Sequence, residues 1–76
     1  MRIRSPNLRF VKARINGEER ELPDGTTVAA LLSQIGAPQS GIAVACNQRV
    51  VRRAEFESCV ITDGDTLEII KAVAGG

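Results

Sequence analysis

The chain of 76 residues has no histidine, tryptophan or tyrosine, and only two phenylalanines. Without imidazole it lacks the side chain that most often acts as general base at neutral pH and as metal ligand, which disfavours a self-contained catalytic triad or a zinc site. Neither a bound cofactor nor a metal is expected. Cysteine is scarce as well: Cys46 and Cys59 could form at most one bridge and have no C-x-x-C or other ligand spacing. Both stand beside apolar neighbours and are expected as buried core thiols, since a reactive cysteine needs exposure and a lowered pKa. An excess of one charge is also missing. Ten Lys and Arg against nine Asp and Glu leave a net charge of +1, which argues against capture by nucleic acid or by an anionic membrane. Long apolar runs are absent, so neither a signal peptide nor a membrane span is read, and with so few cysteines a reducing, cytoplasmic setting is expected.

What is present is ordinary globular composition, 43% hydrophobic and 25% charged, which supports a small core and rules out a disordered tail. At this length residues 1–76 are expected to be one domain ending in a flexible Gly-Gly tail, with no room for a second domain.

Residues 9–16 alternate, with Val11, Ala13 and Ile15 on one face and Lys12 and Arg14 on the other, as in a half-buried strand. Asn16-Gly17 suits the positive φ angles of a type I′ turn and predicts a hairpin. Its second strand, residues 18–22, is charged enough to belong at a sheet edge. Pro23-Asp24-Gly25 is expected to break that strand, and Thr26 or Thr27 to cap a helix. Val28, Leu31, Leu32 and Ile35 then fall on one helical stripe that ends near Gly36 and Pro38. The stripe is read as core packing against a sheet.

Residues 41–47 form a short apolar run, read as a strand with Val44 and Cys46 on the same side, and residues 48–51 form another candidate strand. Residues 52–58 show neither period. There Phe56 is expected to plug the core, while Arg49, Arg52 and Arg53 are read as a solvated face rather than an anion-binding patch. Asp63-Gly64-Asp65 is a turn, and residues 66–73 read as the last strand, with Leu67 and Ile69 inward and Glu68, Ile70 and Ala72 outward. An outward Ile70, with Ala72 beside it, is a candidate docking contact for a partner. Together these pieces describe an α+β arrangement in which one helix covers one face of a sheet.

The sequence ends in Val73-Ala74-Gly75-Gly76. Beyond Val73, three residues extend about 10 Å, and glycine can approach another protein's catalytic backbone closely. Taken alone, such an end is equally read as a frayed terminus. With Asn16-Gly17, Ala45-Cys46-Asn47-Gln48, Asp63-Gly64-Asp65 and the Ala74-Gly75-Gly76 end in this order, however, the chain from Val11 to Gly76 resembles the ThiS family, ubiquitin-like sulfur carriers of thiamine biosynthesis. The resemblance implies a β-grasp fold, a mixed sheet with one main helix packed on one face. It implies that the chain is a carrier and not an enzyme: Gly76 is adenylated by a ThiF-type enzyme using ATP and is converted to a thiocarboxylate. The sulfur comes from a donor such as a cysteine desulfurase persulfide and passes to a ThiG-type thiazole synthase. Ala74, Gly75 and Gly76 would then enter the partners' active sites. Residues 1–10 are longer than the resemblance requires before the first strand, and would either lengthen it or hang free. Three other readings share these features: a molybdopterin-type sulfur carrier, a ubiquitin-like modifier joined through Gly76 to lysines, and an interaction module whose tail is incidental.

Overall fold

A computed structural model of the chain describes residues 9–38 and 40–71. The elements run β1 (Phe10–Ile15), β2 (Glu18–Pro23), α1 (Val28–Gln34), β3 (Ile42–Cys46), β4 (Arg49–Val51), a 3₁₀ turn (Arg53–Glu55) and β5 (Thr66–Lys71). The five strands make one mixed sheet in the order β2-β1-β5-β3-β4. All neighbours are antiparallel except β1 and β5, which are parallel with Arg14 opposite Thr66 and Ile15 opposite Leu67. This is the β-grasp arrangement, and it places the last strand at the centre of the sheet.

The first hairpin forms as its turn residues dictate. Asn16 and Gly17 take φ of 52° and 85°, the type I′ combination whose twist matches that of the flanking strands. Val11, Ala13 and Ile15 are buried and Lys12 and Arg14 exposed. On β2 only Leu22 is buried. That strand runs one residue further than expected, through Pro23 opposite Phe10, because an edge strand has no outer neighbour that needs the missing N–H. The ladder continues with Asp24 N donating to Arg9 O.

Every free N–H of the first turn of α1 is satisfied. Thr27 is the cap, its hydroxyl accepting from Ala30 N at 3.1 Å, whereas Thr26 turns its hydroxyl to Pro23 O. Val28 N donates to Cys59 O and Ala29 N to Phe56 O, so the loop after the 3₁₀ turn serves as a second cap for the helix. At the other end Gly36 N donates to Ser33 O and Ala37 N to Leu32 O, with Gly36 at φ 75°, a Schellman termination that only glycine enters without strain. Ile35 is therefore the C-cap rather than a helical residue, and it packs half-buried against the core.

Val28, Leu31 and Leu32 have no exposed surface, and they meet Leu22, Val44, Ile61 and Leu67 between helix and sheet. Phe56 fills this core at 2% exposure. It does so from a single 3₁₀ turn, too short to leave a period in the sequence.

Replacing Leu32 by Ala is expected to cost about 2–5 kcal/mol, because the site is sealed on all sides and cannot collapse easily. Denaturant unfolding measures the loss. A change below about 0.5 kcal/mol would contradict the packing described.

Candidate functional site

The chemistry expected from the sequence sits at the chain end, and the structure describes how the strand before it, β5, is held. Ala72, Ala74, Gly75 and Gly76 lie outside the described residues. From Lys71 the five remaining residues can extend at most about 17 Å. Beneath them β5 is gripped by two neighbours: β3 pairs with it from Leu67 to Lys71, and β1 runs beside it as far as Leu67.

Two asparagines at hairpin turns complete this grip. Asn47 N donates to Thr66 O, its Oδ1 accepts from Thr66 N at 2.9 Å, and its Nδ2 donates to Asp65 Oδ1 at 2.9 Å. Asn16 makes the corresponding contacts further along the strand, accepting from Ile69 N at 2.7 Å and donating to Ile69 O at 3.3 Å. Sequence reasoning reads Asn16 only as a turn former and does not single out Asn47-Gln48 as a turn. The signal was available, since asparagine tolerates positive φ and carries a copy of the peptide's donor and acceptor. Asn47 and Gln48 have φ of 53° and 72°.

The Asp63-Gly64-Asp65 turn is docked onto β1. Lys12 N donates to Asp63 Oδ1, Gly64 N to Lys12 O, and Arg14 N to Asp65 O. Burial pushes the Asp65 carboxyl up, but hydrogen bonds from the backbone and hydroxyl of Thr62, from Asn47 and from the Cys46 thiol outweigh it and hold the pKa below its ordinary value.

On the solvent face of the sheet, Ile70 is 58% exposed and sits opposite Ala43. Val50, 74% exposed, lies opposite Ala45 on the next strand. The outward orientation expected for Ile70 is therefore observed, and it joins an apolar strip across β5, β3 and β4 bordered by Glu68. Val50 was missed because a three-residue strand gives no alternation to read. Arg49, Arg52 and Arg53 are all exposed.

The cysteines need a correction. Neither is sealed in the core: both are free, half-buried and on the wall of a cleft of about 590 Å³ shared with Arg49, Glu55 and Ser58. Cys46 is paired with Arg49, the first residue of β4, and the cleft opens beside that pair. Partial burial and the Asp65 carboxylate push the Cys46 thiol up to about 11, away from the thiolate that sulfur chemistry requires. Among the described residues no three His, Cys, Asp or Glu side chains gather as metal ligands, and no helix is long and apolar enough to cross a membrane.

Comparison with known proteins gives this architecture its place. The ThiS family profile matches residues 13–76. The chain belongs to the ThiS family. It is 34% identical over 61 residues to the sulfur carrier protein ThiS of Escherichia coli, covering 80% of this chain and 92% of that one. The crystal structure of the thiamine biosynthesis protein ThiS from Geobacter metallireducens superposes with a TM-score of 0.75 at 26% identity, covering 87% of this chain and all of that one. A third relative, the thiazole synthase of Paramagnetospirillum magneticum, is 38% identical over 66 residues, but this chain spans only 20% of its length. The relatives of matching length are small carrier proteins, and this ThiS-family chain is a carrier rather than an enzyme.

Because the pKa of Cys46 rises from 9.0 unfolded to about 11 folded, its contribution to stability is fully present below pH 9 and is lost as pH rises towards 11. Urea unfolding of the wild-type chain and of Cys46→Ala across that range is expected to show a steeper loss in the wild type. Parallel curves would contradict the assigned shift.

Proposed function

We propose that this chain carries sulfur for thiamine biosynthesis on the carboxylate of Gly76. The observation that carries the reading is that the family match extends through the last residue, Gly76, as well as over the folded body. A terminal carboxylate has a pKa of about 3.5 and is ionised and unreactive as an electrophile at neutral pH. In the proposed sequence a ThiF-type enzyme brings ATP, the carboxylate oxygen attacks the α-phosphorus, pyrophosphate leaves, and an acyl-adenylate is formed. A sulfur nucleophile then attacks the Gly76 carbonyl carbon and AMP departs. With sulfide the thiocarboxylate forms directly. With the persulfide of a cysteine desulfurase the product is an acyl disulfide, which a thiol cleaves to the same thiocarboxylate.

The body supplies no acid, base or metal to these steps. It presents the tail from a centrally paired strand and offers Ile70, with Ala72, as a docking contact beside it. Thiazole synthase is the proposed acceptor of the sulfur. Support comes from relatives named thiazole synthase in which a fifth of the chain aligns with this one, so a carrier-like segment and a synthase occur in one polypeptide. The setting is cytoplasmic in this reading.

Intact-mass measurement after incubation with ATP, the adenylating enzyme and sulfide is expected to show one oxygen replaced by sulfur, and no change in a chain extended beyond Gly76. A ladder of conjugates would identify a protein modifier instead, and loading of the extended chain would exclude the mechanism. Replacing Ile70 by Asp is expected to weaken capture by the adenylating enzyme by about ten-fold while shifting stability by less than about 0.5 kcal/mol, as for an exposed site. Unchanged binding kinetics would remove Ile70 from the docking surface.

A further inference from the structure

We propose that Asn16 is a positioning residue for the reaction at the chain end: its carboxamide replaces β1 as the hydrogen-bonding neighbour of β5 at Ile69 and fixes the stretch of strand that precedes the tail. This rests on the function proposed above.

The main chain of β1 and its turn accompanies β5 through the parallel ladder of Arg14 with Thr66 and Ile15 with Leu67, flanked by Arg14 N to Asp65 O and Asn16 N to Leu67 O, each 2.9 Å. The turn at Asn16-Gly17 then carries the chain away into β2. Alternate residues of a strand address the same neighbour, so the next β5 groups on that side are the N–H and C=O of Ile69. One side chain takes both of them: Asn16 Oδ1 accepts from Ile69 N at 2.7 Å, and Nδ2 donates to Ile69 O at 3.3 Å. The carboxamide thus stands where the next peptide group of β1 would have stood.

Asparagine meets three demands here at once. It tolerates φ of 52°, it carries one planar donor and acceptor pair, and its stem is short enough to lie in the plane of the sheet. Aspartate would face Ile69 O with a second acceptor, and glycine would offer nothing. On its other side this part of β5 is paired with β3, Ala43 to Ile70 and Ile42 to Lys71. Without Asn16 the strand would therefore be held on one side only over its last turn of pleat, and the reactive end five residues beyond Lys71 would start from a looser base. Misplacement of a reacting group is read directly in rate.

The test compares wild type with Asn16→Gly, which keeps the turn and removes the carboxamide, and Asn16→Asp, which keeps the acceptor and removes the donor. Ile61→Val serves as a small core truncation with Asn16 intact. Amide exchange at Ile69 and kcat/KM for adenylation are measured at a temperature where every variant is folded. Asn16→Gly is expected to exchange at Ile69 at least ten-fold faster and to lose about ten-fold in kcat/KM, as two hydrogen bonds of ordinary strength imply. Asn16→Asp should fall in between, and Ile61→Val should keep the wild-type kcat/KM. Unchanged exchange at Ile69 in Asn16→Gly, or faster exchange with unchanged kcat/KM, would overturn the inference while leaving the proposed function standing. Failure of the wild-type chain to be adenylated at all would overturn both.

Discussion

The parallel pairing of β5 with β1 organises this molecule. It inserts β5 between β1 and β3, so that the strand before the proposed reactive end is held in the middle of the sheet and not at an edge. The proposed carrier role sets two opposed requirements: the body must not move, and the last residues must be able to enter a narrow site. Central placement meets the first by fixing β5 through Leu67 in the core and through backbone bonds on both sides. The second would fall to the five residues after Lys71, four of which are alanine or glycine.

A parallel pair cannot be closed by a tight turn, and the connection between β1 and β5 is nearly the whole protein: hairpin, helix, second hairpin and 3₁₀ turn. Each of these pieces also covers or caps another. Helix α1 seals the inner face, the 56–59 loop satisfies the first N–H groups of that helix, and the Asp63-Gly64-Asp65 turn closes onto Lys12 and Arg14. The solvent face of the sheet is left to carry Ile70, Ala43, Ala45 and Val50, the strip that includes the proposed docking contact.

Much of this was legible wherever several residues repeat one physical message. The alternation of Val11, Ala13 and Ile15, the glycine after Asn16, and the stripe of Val28, Leu31 and Leu32 each encode an element by periodicity, and each is found. The strand at residues 48–51 and the burial of Phe56 were expected and are found, but the 3₁₀ turn and the outward face of Val50 were not legible, because segments of three residues are shorter than any period. Pro23 read as a break because proline removes a donor, but at an edge that donor has no partner to lose. Cys46 and Cys59 read as core because their neighbours in sequence are apolar, yet both line a cleft with Arg49, Glu55 and Ser58, a wall that forms only when β4 and the 3₁₀ turn come together. The paired asparagines carry a tertiary role that appears only once β5 lies beside them.

The proposed function puts the chemistry at Gly76 and makes the fold its support, an arrangement consistent with the absence of histidine and with a Cys46 thiol whose pKa is raised. The most direct measurement is ATP–pyrophosphate exchange by a ThiF-type enzyme in the presence of this chain. Exchange that appears with the full chain and disappears when Gly76 is deleted is the predicted result. Exchange that survives the deletion, or that never appears with the intact chain, would contradict the account.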